Sequence, residues 1–481
     1  MSSFSPSRTA LCFSEESKMI NSQDKFSGSL ILCLPPEIIS EIFIYCVHTE
    51  QTTFTSDHNS RRANSQVDPF REPILLGNIC HLFRDIAMST PQLWSSIALA
   101  LHVDRLPEEL ERLNVWITRS RDCLLRIRLR CSSDSFASQD AWVDNPPFSV
   151  IEAISRHCQR WEDIYLVLPM ACLSRLNQIK GRVPALRKLT LFRHGQSPLF
   201  EYAGLPVEAF SAAPKLEDVS LFGVSLSSIM LPWDQLVAFR GYDLWEDEIM
   251  SVLKQAPRLL RCTFRAYLGD RALSYPALPL QHRLRSLSIS EHSGYTRHLT
   301  LPKLQKIKLK ADDWCWNPRN MVSLLTRSRC SLERLQLSVG FVSEEGLIFC
   351  LSSIPTLKEF KLTNLNDRVH SVFSDKIISR LTAPGLGGPM LVPKLRSIDI
   401  FTCTINFTPS MLADMLWSRW RPSGFDEEAQ RAGCLKTFRL SSSSSALPSV
   451  CSEVWKLPRI RDLDKDGMVI RIISPKSVVT R

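Results

Sequence analysis

The stretch "VPALRKLTL", Val183–Leu191, holds the pattern that decides the fold: an apolar residue, proline, any residue, and leucine, with apolar residues three and five positions after that leucine. The same pattern begins at Ala213, Ala256, Leu301, Ile354 and Val392. With 29 prolines in 481 residues, random placement would give it less than about once. Six copies therefore indicate a degenerate internal repeat.

A shorter form of the repeat, L-x-x-L-x-L, extends from "WEDIYL" at Trp161 to "LKTFRL" at Leu435, and only "LVAFRG" departs, with Gly241 in its last apolar slot. The alternating tail predicts a short strand with one inward face, and the proline ends the segment before it. Helical patterns lie between the tails. Strand, loop and helix repeated every ~20–40 residues is typical of a leucine-rich-repeat solenoid, an α/β fold with parallel strands on the concave face and helices and loops behind.

Two N-terminal segments have a different pattern of apolar residues: "LPPEIISEIFIYCV", Leu34–Val47, and "LGNICHLFRDIAMSTPQLW", Leu76–Trp94. Both carry apolar residues at helical spacing, and Thr90-Pro91 ends the second because the residue before proline avoids the α region. The sequence predicts a small helical unit closed by a turn at Leu93 and Trp94. A unit of about 65 residues buries little core and would gain from docking on a partner.

Changes in composition and apolar pattern along the chain predict five segments. These are a disordered tail (1–29), the helical unit (30–100), a linker helix (101–123), the repeats (124–445) and a C-terminal cap (446–481). "DLDKDGMVI", from Asp462, has aspartates at positions 1, 3 and 5 and glycine at position 6 of a calcium loop, but position 12 is Ile473. Because the bidentate carboxylate is missing, a β-hairpin turn at Asp466-Gly467 is the favoured interpretation.

Composition narrows the function classes. The chain has a net charge of +10 but lacks the dense Lys/Arg runs of a nucleic-acid binder. Its 15 cysteines form no C-x-x-C pair, which favours free thiols in a reducing compartment. Neither a secretory signal nor a membrane-spanning run is present, so a cytoplasmic or nuclear location is expected. No phosphate loop, H-E-x-x-H or G-x-S-x-G occurs; we expect no enzymatic activity, metal or cofactor.

"LPPEIISEIF" followed by "ICHLFRDIAMSTPQLW" resembles the F-box, with Phe83 in the usual tryptophan slot. The layout through "RWEDIYLVLP", "LPWDQLVAFRG", "LTRSRCSLERLQL" and "LWSRW" is similar to the F-box proteins with divergent leucine-rich repeats that are abundant in mushroom-forming fungi. The resemblance covers roughly residues 30–442. It implies a substrate receptor of a cullin–RING ubiquitin ligase, whose F-box binds a Skp-type adaptor that carries a cullin, a RING subunit and a ubiquitin-conjugating enzyme.

The resemblance also assigns the residues that would contact the adaptor or support that contact. Carried over by position, they are Leu34, Pro35, Pro36, Ile38, Ile39, Ile42, Phe43, Leu76, Ile79, Cys80, Phe83, Leu93 and Trp94. The alternative is that all of these residues only pack one domain, and Trp94 fits a core role best.

The repeat pattern predicts where a protein substrate would bind, since the residue between the last two apolar positions of each repeat points away from the core. The resulting polar strip comprises Thr190, Ser220, Ser288, Lys308, Gln336, Lys361 and Asp399. Ordinary solvated strand residues are the simpler interpretation of each position. Two other functions stay open: a leucine-rich-repeat binding scaffold without a ubiquitin role, and a nucleic-acid-binding solenoid.

Overall fold

The structure, a computed structural model, forms two compact units, Met1–Leu93 and Trp94–Arg481. The tail predicted at 1–29 lies outside the described residues. The residues that the structure describes are 30–50, 71–132, 142, 144–193, 206–267, 279–290, 294–364, 373–382, 390–420, 434–442 and 447–473.

The first unit is helical, with α1 at Pro36–Glu50, α2 at Arg71–Gly77 and α3 at His81–Ser89. Cys80 caps α3, because its sulfur accepts the Phe83 backbone N–H at 3.5 Å. Thr90 ends the helix: its hydroxyl donates to the Ile86 carbonyl at 2.7 Å, and proline follows. In the core, the Phe43 ring meets the Phe83 ring edge-on with centroids 5.0 Å apart.

The second unit is built on a 14-stranded sheet in which all neighbouring strands are parallel and follow chain order. The expected α/β class with a parallel sheet is confirmed. Its strands are β1 Ser96–Leu101, β2 Leu125–Cys131, β3 Trp161–Leu168, β4 Lys188–Arg193, β5 Asp218–Phe222, β6 Ala238–Leu244, β7 Arg261–Ala266, β9 Ser286–Ser290, β11 Lys306–Cys315, β12 Arg334–Phe341, β13 Glu359–Asn364, β14 Ser397–Thr402, β15 Thr437–Ser442 and β16 Val469–Ile473. Two short strands, β8 Leu280–Gln281 and β10 Leu299–Thr300, pair separately.

Helices connect many of the strands, as parallel pairing requires. Within the described residues of this unit they are α4 Leu106–Arg119, α5 Phe148–Ser155, α6 Met170–Arg175, α7 Glu246–Gln255, α8 Pro318–Ser328, α9 Glu344–Ser352, α10 Asp375–Leu381, α11 Pro409–Trp420, α12 Leu447–Lys456 and α13 Pro458–Lys465.

All six copies of the proline pattern form the same turn. The apolar residue before proline accepts a hydrogen bond from the leucine three positions later, as between Val183 and Leu186 at 3.4 Å and between Leu301 and Leu304 at 3.2 Å. Proline occupies the second turn position, where its fixed φ is favourable. The flanking apolar residues are buried in every copy, and a strand begins two residues after each leucine. The sequence motif is thus a β-turn, buried at its two apolar ends, that introduces each strand.

Gly241 departs from the repeat because β6 contains a bulge. Asp243 has φ of +61°, and the pairing with β7 shifts between Tyr242 and Leu244. A Cβ on Gly241 would lie 2.9 Å from a Phe239 ring carbon and closer still to the Leu244 side chain. The buried Leu244 therefore fills the space that the missing side chain leaves.

Two segment boundaries differ from the prediction. β1 lies in the segment assigned to the helical unit (30–100), yet it pairs with β2 in the large sheet. Consequently α4, assigned to a linker (101–123), connects two strands of one sheet. The sheet also continues to β16, beyond the predicted end of the repeats at residue 445. The apolar alternation in β1 predicts a strand but does not identify its partner. The sequence therefore did not show whether β1 belongs to the helical unit or to the large sheet.

The predicted C-terminal hairpin is wrong. α13 ends at Lys465, and β16 pairs in parallel with β15. Gly467, with φ of +92°, terminates α13: its N–H reaches the Asp464 carbonyl at 3.1 Å, and the Met468 N–H reaches Leu463 at 3.0 Å. The residue after the helix end needs a positive φ, which favours glycine, and a hairpin turn at the same residue would have the same requirement.

Candidate docking surfaces

The first unit leaves much of its apolar surface exposed. Of the fifteen large hydrophobic side chains that are exposed within the described residues, nine lie between Leu32 and Met88. The nine are Leu32, Leu34, Ile38, Tyr45, Ile74, Leu75, Ile79, Leu82 and Met88. The second unit contributes only six, although its described part is several times longer.

Helix α1 shows this excess most clearly because it carries two apolar stripes. Ile39, Phe43 and Val47, spaced by four residues, are buried. Ile38 lies one position before that stripe and is 48% exposed. With the half-buried Ile42 it forms a second stripe on the helix surface. The core of the unit uses only the first stripe, so the second is free to contact another molecule.

A second exposed group surrounds the start of α3. Leu75 is 52% exposed at the end of α2, Ile79 is 64% exposed in the turn that follows, and Leu82 is also exposed. A short polar turn would normally place hydrophilic residues here, so an isoleucine at the tip of the turn is unusual.

The thirteen predicted adaptor residues fall into three classes. Leu34, Pro35, Pro36, Ile38 and Ile79 are exposed; Ile42, Leu76 and Cys80 are half-buried; Ile39, Phe43, Phe83, Leu93 and Trp94 are buried. The predicted set does not include Leu75 and Leu82, which are exposed apolar residues close to its members.

Trp94 belongs to the core of the second unit. Its ring meets the Trp116 ring edge-on with centroids 5.1 Å apart, and the Arg119 guanidinium lies 4.4 Å above it. Trp94 is 1% exposed, which agrees with the core role that fitted it best.

The seven predicted substrate residues lie in one continuous row across the sheet. Thr190 pairs with Ser220, and Arg240 and Thr263 then connect Ser220 to Ser288. From Ser288 the row continues through successive strands to Lys308, Gln336, Lys361 and Asp399. We call the complete line the central row. Its members are Ala98, Arg128, Tyr165, Thr190, Ser220, Arg240, Thr263, Ser288, Lys308, Gln336, Lys361, Asp399, Arg439 and Arg471.

Accessibility varies along the central row. Thr190 and Ser220 are buried, whereas Ser288, Lys308, Gln336 and Asp399 are half-buried and Lys361 is exposed. Arg240 lies over Ser220, because its guanidinium donates to the Ser220 hydroxyl at 3.0 Å and to the Asp218 carboxylate at 2.8 Å. Sequence analysis missed Arg240 since its repeat ends in glycine. The β9–β16 part of the row is therefore the more accessible part.

Stacked aromatic rings line the same face at the carboxyl ends of β4, β5 and β6. The Phe222 ring stacks on Tyr242 at 4.2 Å and on Phe192 at 5.2 Å. Phe222 is nonetheless only 6% exposed. These rings stabilise the face by mutual contact.

Three arginines in helical segments bind main-chain carbonyls of an earlier segment. Arg160 donates to Cys123 at 2.9 Å, Arg327 to Leu299 at 2.8 Å, and Arg419 to Leu391 at 2.6 Å. Burial lowers the pKa of Arg419 to about 10. The arginines of "QRWEDI", "LLTRS" and "LWSRW" thus act as structural clamps, which hold main-chain segments together.

Burial changes the chemistry of two cysteines in the second unit. Burial raises the pKa of Cys172 and of Cys350 to about 12, which makes these thiols poor nucleophiles. Among the described residues, no group of three or more His, Cys, Asp or Glu side chains is placed to hold a metal ion. None of the helices in that part combines the length and apolar character that crossing a bilayer requires.

Comparison with known proteins gives no family assignment. No protein-family model matches this sequence, and no curated protein is significantly similar to it.

Proposed function

We propose that the chain is the substrate-receptor subunit of a Skp–cullin–F-box ubiquitin ligase. The first unit acts as the F-box and docks a Skp-type adaptor, through which the cullin and RING subunits join. The second unit acts as a leucine-rich-repeat solenoid whose concave, strand-lined face holds a protein substrate. The ubiquitin chemistry belongs to other subunits, and the complex works in the cytoplasm or nucleus.

One observation carries this proposal: the concentration of exposed apolar side chains in the first unit. Burying one such side chain contributes about 1.5–3 kcal/mol. Ile38, Leu75 and Ile79 are 48%, 52% and 64% exposed, so burying their exposed parts together contributes about 2.5–5 kcal/mol toward the ~8 kcal/mol of a micromolar complex. The outward stripe on α1 supports the proposal further, because it lies beside Leu34–Glu37, the start of the stretch that resembles the F-box.

The test is co-purification of the full chain with a Skp-type adaptor. Ile38→Glu combined with Ile79→Glu should abolish capture, since both side chains are exposed and the core is untouched. The matched control is Phe349→Glu on α9, because Phe349 is 47% exposed against 48% for Ile38. It should leave capture unchanged.

Two results would contradict the proposal. If the double variant bound the adaptor as well as the unmodified chain does, the exposed apolar residues would not be the docking surface. If the unmodified chain failed to bind any Skp-type adaptor, a repeat scaffold without a ubiquitin role would replace the proposal. Circular dichroism of each variant separates loss of contact from loss of fold.

A further inference from the structure

The outward face of the large sheet holds the whole charge excess of the chain. The face consists of the central row and the two rows that flank it two residues before and after on each strand. These rows carry fourteen basic and four acidic residues, a difference equal to the formal net charge of +10. The remainder of the chain is balanced. The basic residues are Arg126, Arg128, Arg130, Lys188, Arg240, Arg261, Arg265, Lys306, Lys308, Lys310, Arg334, Lys361, Arg439 and Arg471.

All four acidic residues of the face are already neutralised by a neighbouring strand. The pairs are Asp163 with Lys188 at 3.6 Å, Asp218 with Arg240 at 2.8 Å, Glu359 with Arg334 at 3.1 Å and Asp399 with Lys361 at 2.9 Å. Two further basic residues of the face pair with acidic residues outside these rows: Arg126 with Glu162 at 3.0 Å and Arg265 with Asp243 at 3.4 Å.

Within the described residues, six basic side chains of the face make no ion pair or hydrogen bond: Arg130, Arg261, Lys306, Lys308, Arg439 and Arg471. Five of these side chains are exposed, and Lys308 is half-buried.

Five of the six fall into two groups. Arg261, Lys306 and Lys308, which we call the middle basic group, lie on β7 and β11 with Ser286 of β9 between them. Arg439 and Arg471, the terminal basic pair, face each other in register on β15 and β16. Like charges directly opposite each other destabilise a sheet, so the terminal pair has an unfavourable arrangement unless an anion lies between them.

We propose that the second unit binds an acidic, extended polypeptide segment that crosses the strands and contacts both basic groups. β11 and β15 are four strand spacings apart, or about 19 Å along the sheet. An extended chain covers this distance in about six residues. The ligand therefore has two acidic clusters separated by about six residues. This inference rests on the proposed function only for calling the segment a substrate.

The charges between the two groups favour a polypeptide over a nucleic acid. Strands β12–β14 carry Glu359 and Asp399, each held in an ion pair. Arg334 and Lys361 balance these two carboxylates, so a continuous phosphate backbone would meet no net positive charge over these strands. A polypeptide meets the same surface with neutral residues, which lose nothing there.

The experiment uses the full chain and a fluorescein-labelled peptide with two Glu triplets separated by six Ser and Gly residues. Binding is followed by fluorescence anisotropy at low salt, because surface charges are screened beyond about 10 Å at 0.1 M. Lys306→Glu with Lys308→Glu should weaken binding about tenfold or more, and Arg439→Glu with Arg471→Glu should do the same. A peptide with adjacent triplets should bind the unmodified chain less tightly, since it reaches only one group.

The matched control is Lys254→Glu with Arg258→Glu. Both residues are exposed, lie outside the strands and change the net charge by the same amount. Unchanged binding in this variant supports the proposal; an equal loss in control and face variants overturns it, because the net charge alone would then explain binding. Tighter binding of a 12-nucleotide single-stranded RNA, lost in the same face variants, would also overturn it in favour of nucleic acid.

The outcome is independent of adaptor docking. Peptide binding in a chain that captures no Skp-type adaptor would retain the acidic-segment proposal and refute the ubiquitin role. Adaptor capture without peptide binding would refute only the acidic-segment proposal.

Discussion

The guanidinium of Arg419 on α11 donates a hydrogen bond of 2.6 Å to the carbonyl oxygen of Leu391, 28 residues earlier in the chain. Two further bonds reach Leu381 at 2.5 Å and Val392 at 3.2 Å. Arg419 is 3% exposed and has no carboxylate partner among these bonds. A buried cation is thus satisfied by main-chain carbonyls, and it joins α11 to the segment that precedes β14.

Arg419→Met should destabilise the second unit by about 3–5 kcal/mol, because the buried carbonyls of Leu381 and Leu391 lose the guanidinium donor and that of Val392 keeps only the Leu395 N–H, while the apolar stem is kept. Arg419→Lys should lose a large part of the same amount, since an ammonium cannot present the planar fork. Urea unfolding measures both. Arg258→Met, at an exposed position, is the control and should change stability by less than about 0.5 kcal/mol. A similar effect of Arg419→Met and Arg258→Met would show that the clamp contributes little.

Phe43→Asp should unfold the first unit rather than only block docking. Phe43 is 2% exposed and packs on Phe83, so a charged residue there has no compensating partner. Far-UV circular dichroism and limited proteolysis should show lost helix, whereas Ile38→Glu, at an exposed position on the same helix, should retain it. If both variants kept a native spectrum, the aromatic pair would not be the core of this unit.

The sequence placed seven residues of the central row on one side of the sheet, because two simple rules determine that alignment. Alternation within a strand assigns Thr190 and Lys308 to the outward side, and in-register parallel pairing places the same offset of each repeat in one line. Sequence did not separate Ile38 from Ile39, because identical neighbouring residues differ only in which side of α1 meets the core. It could not identify the partners of Arg419, which depend on distant segments meeting in space. At Gly467 the signal was present but ambiguous, because glycine at positive φ serves a helix end and a hairpin equally.

Gly241→Ala should destabilise the second unit by about 1–3 kcal/mol, since the new methyl group would overlap the Phe239 ring and the Leu244 side chain. Leu244→Ala should also destabilise, through the cavity it creates. The double variant should be less destabilised than the sum of the two, because the smaller side chain leaves room for the added methyl group. Denaturant midpoints of the four proteins complete this cycle. Strict additivity would mean that the bulge can move away from Gly241 without cost.

His282 should make stability depend on pH. Its ring is buried, its Nε2 lies 3.1 Å from the Ala256 carbonyl oxygen, and its Nδ1 has no hydrogen-bond partner among the described residues. Burial lowers the pKa of His282 from its ordinary 6.5, and the neighbouring Arg283 lowers it further, while the bond to Ala256 acts in the opposite direction. The carbonyl contact requires Nε2 to donate, so the folded protein holds the neutral ring with its proton on Nε2.

The sign of the effect follows from proton binding. Below pH 6.5 the unfolded chain binds a proton at His282 that the folded chain does not, so the stability present above pH 6.5 falls as the pH drops toward the lowered pKa of the folded state. The slope for one group is at most about 1.4 kcal/mol per pH unit. His282→Gln retains an N–H donor but does not titrate. Urea unfolding between pH 8 and pH 5.5 should therefore show a flatter pH dependence for this variant than for the unmodified chain. Parallel curves for the two proteins would mean that His282 takes up its proton without disturbing the fold.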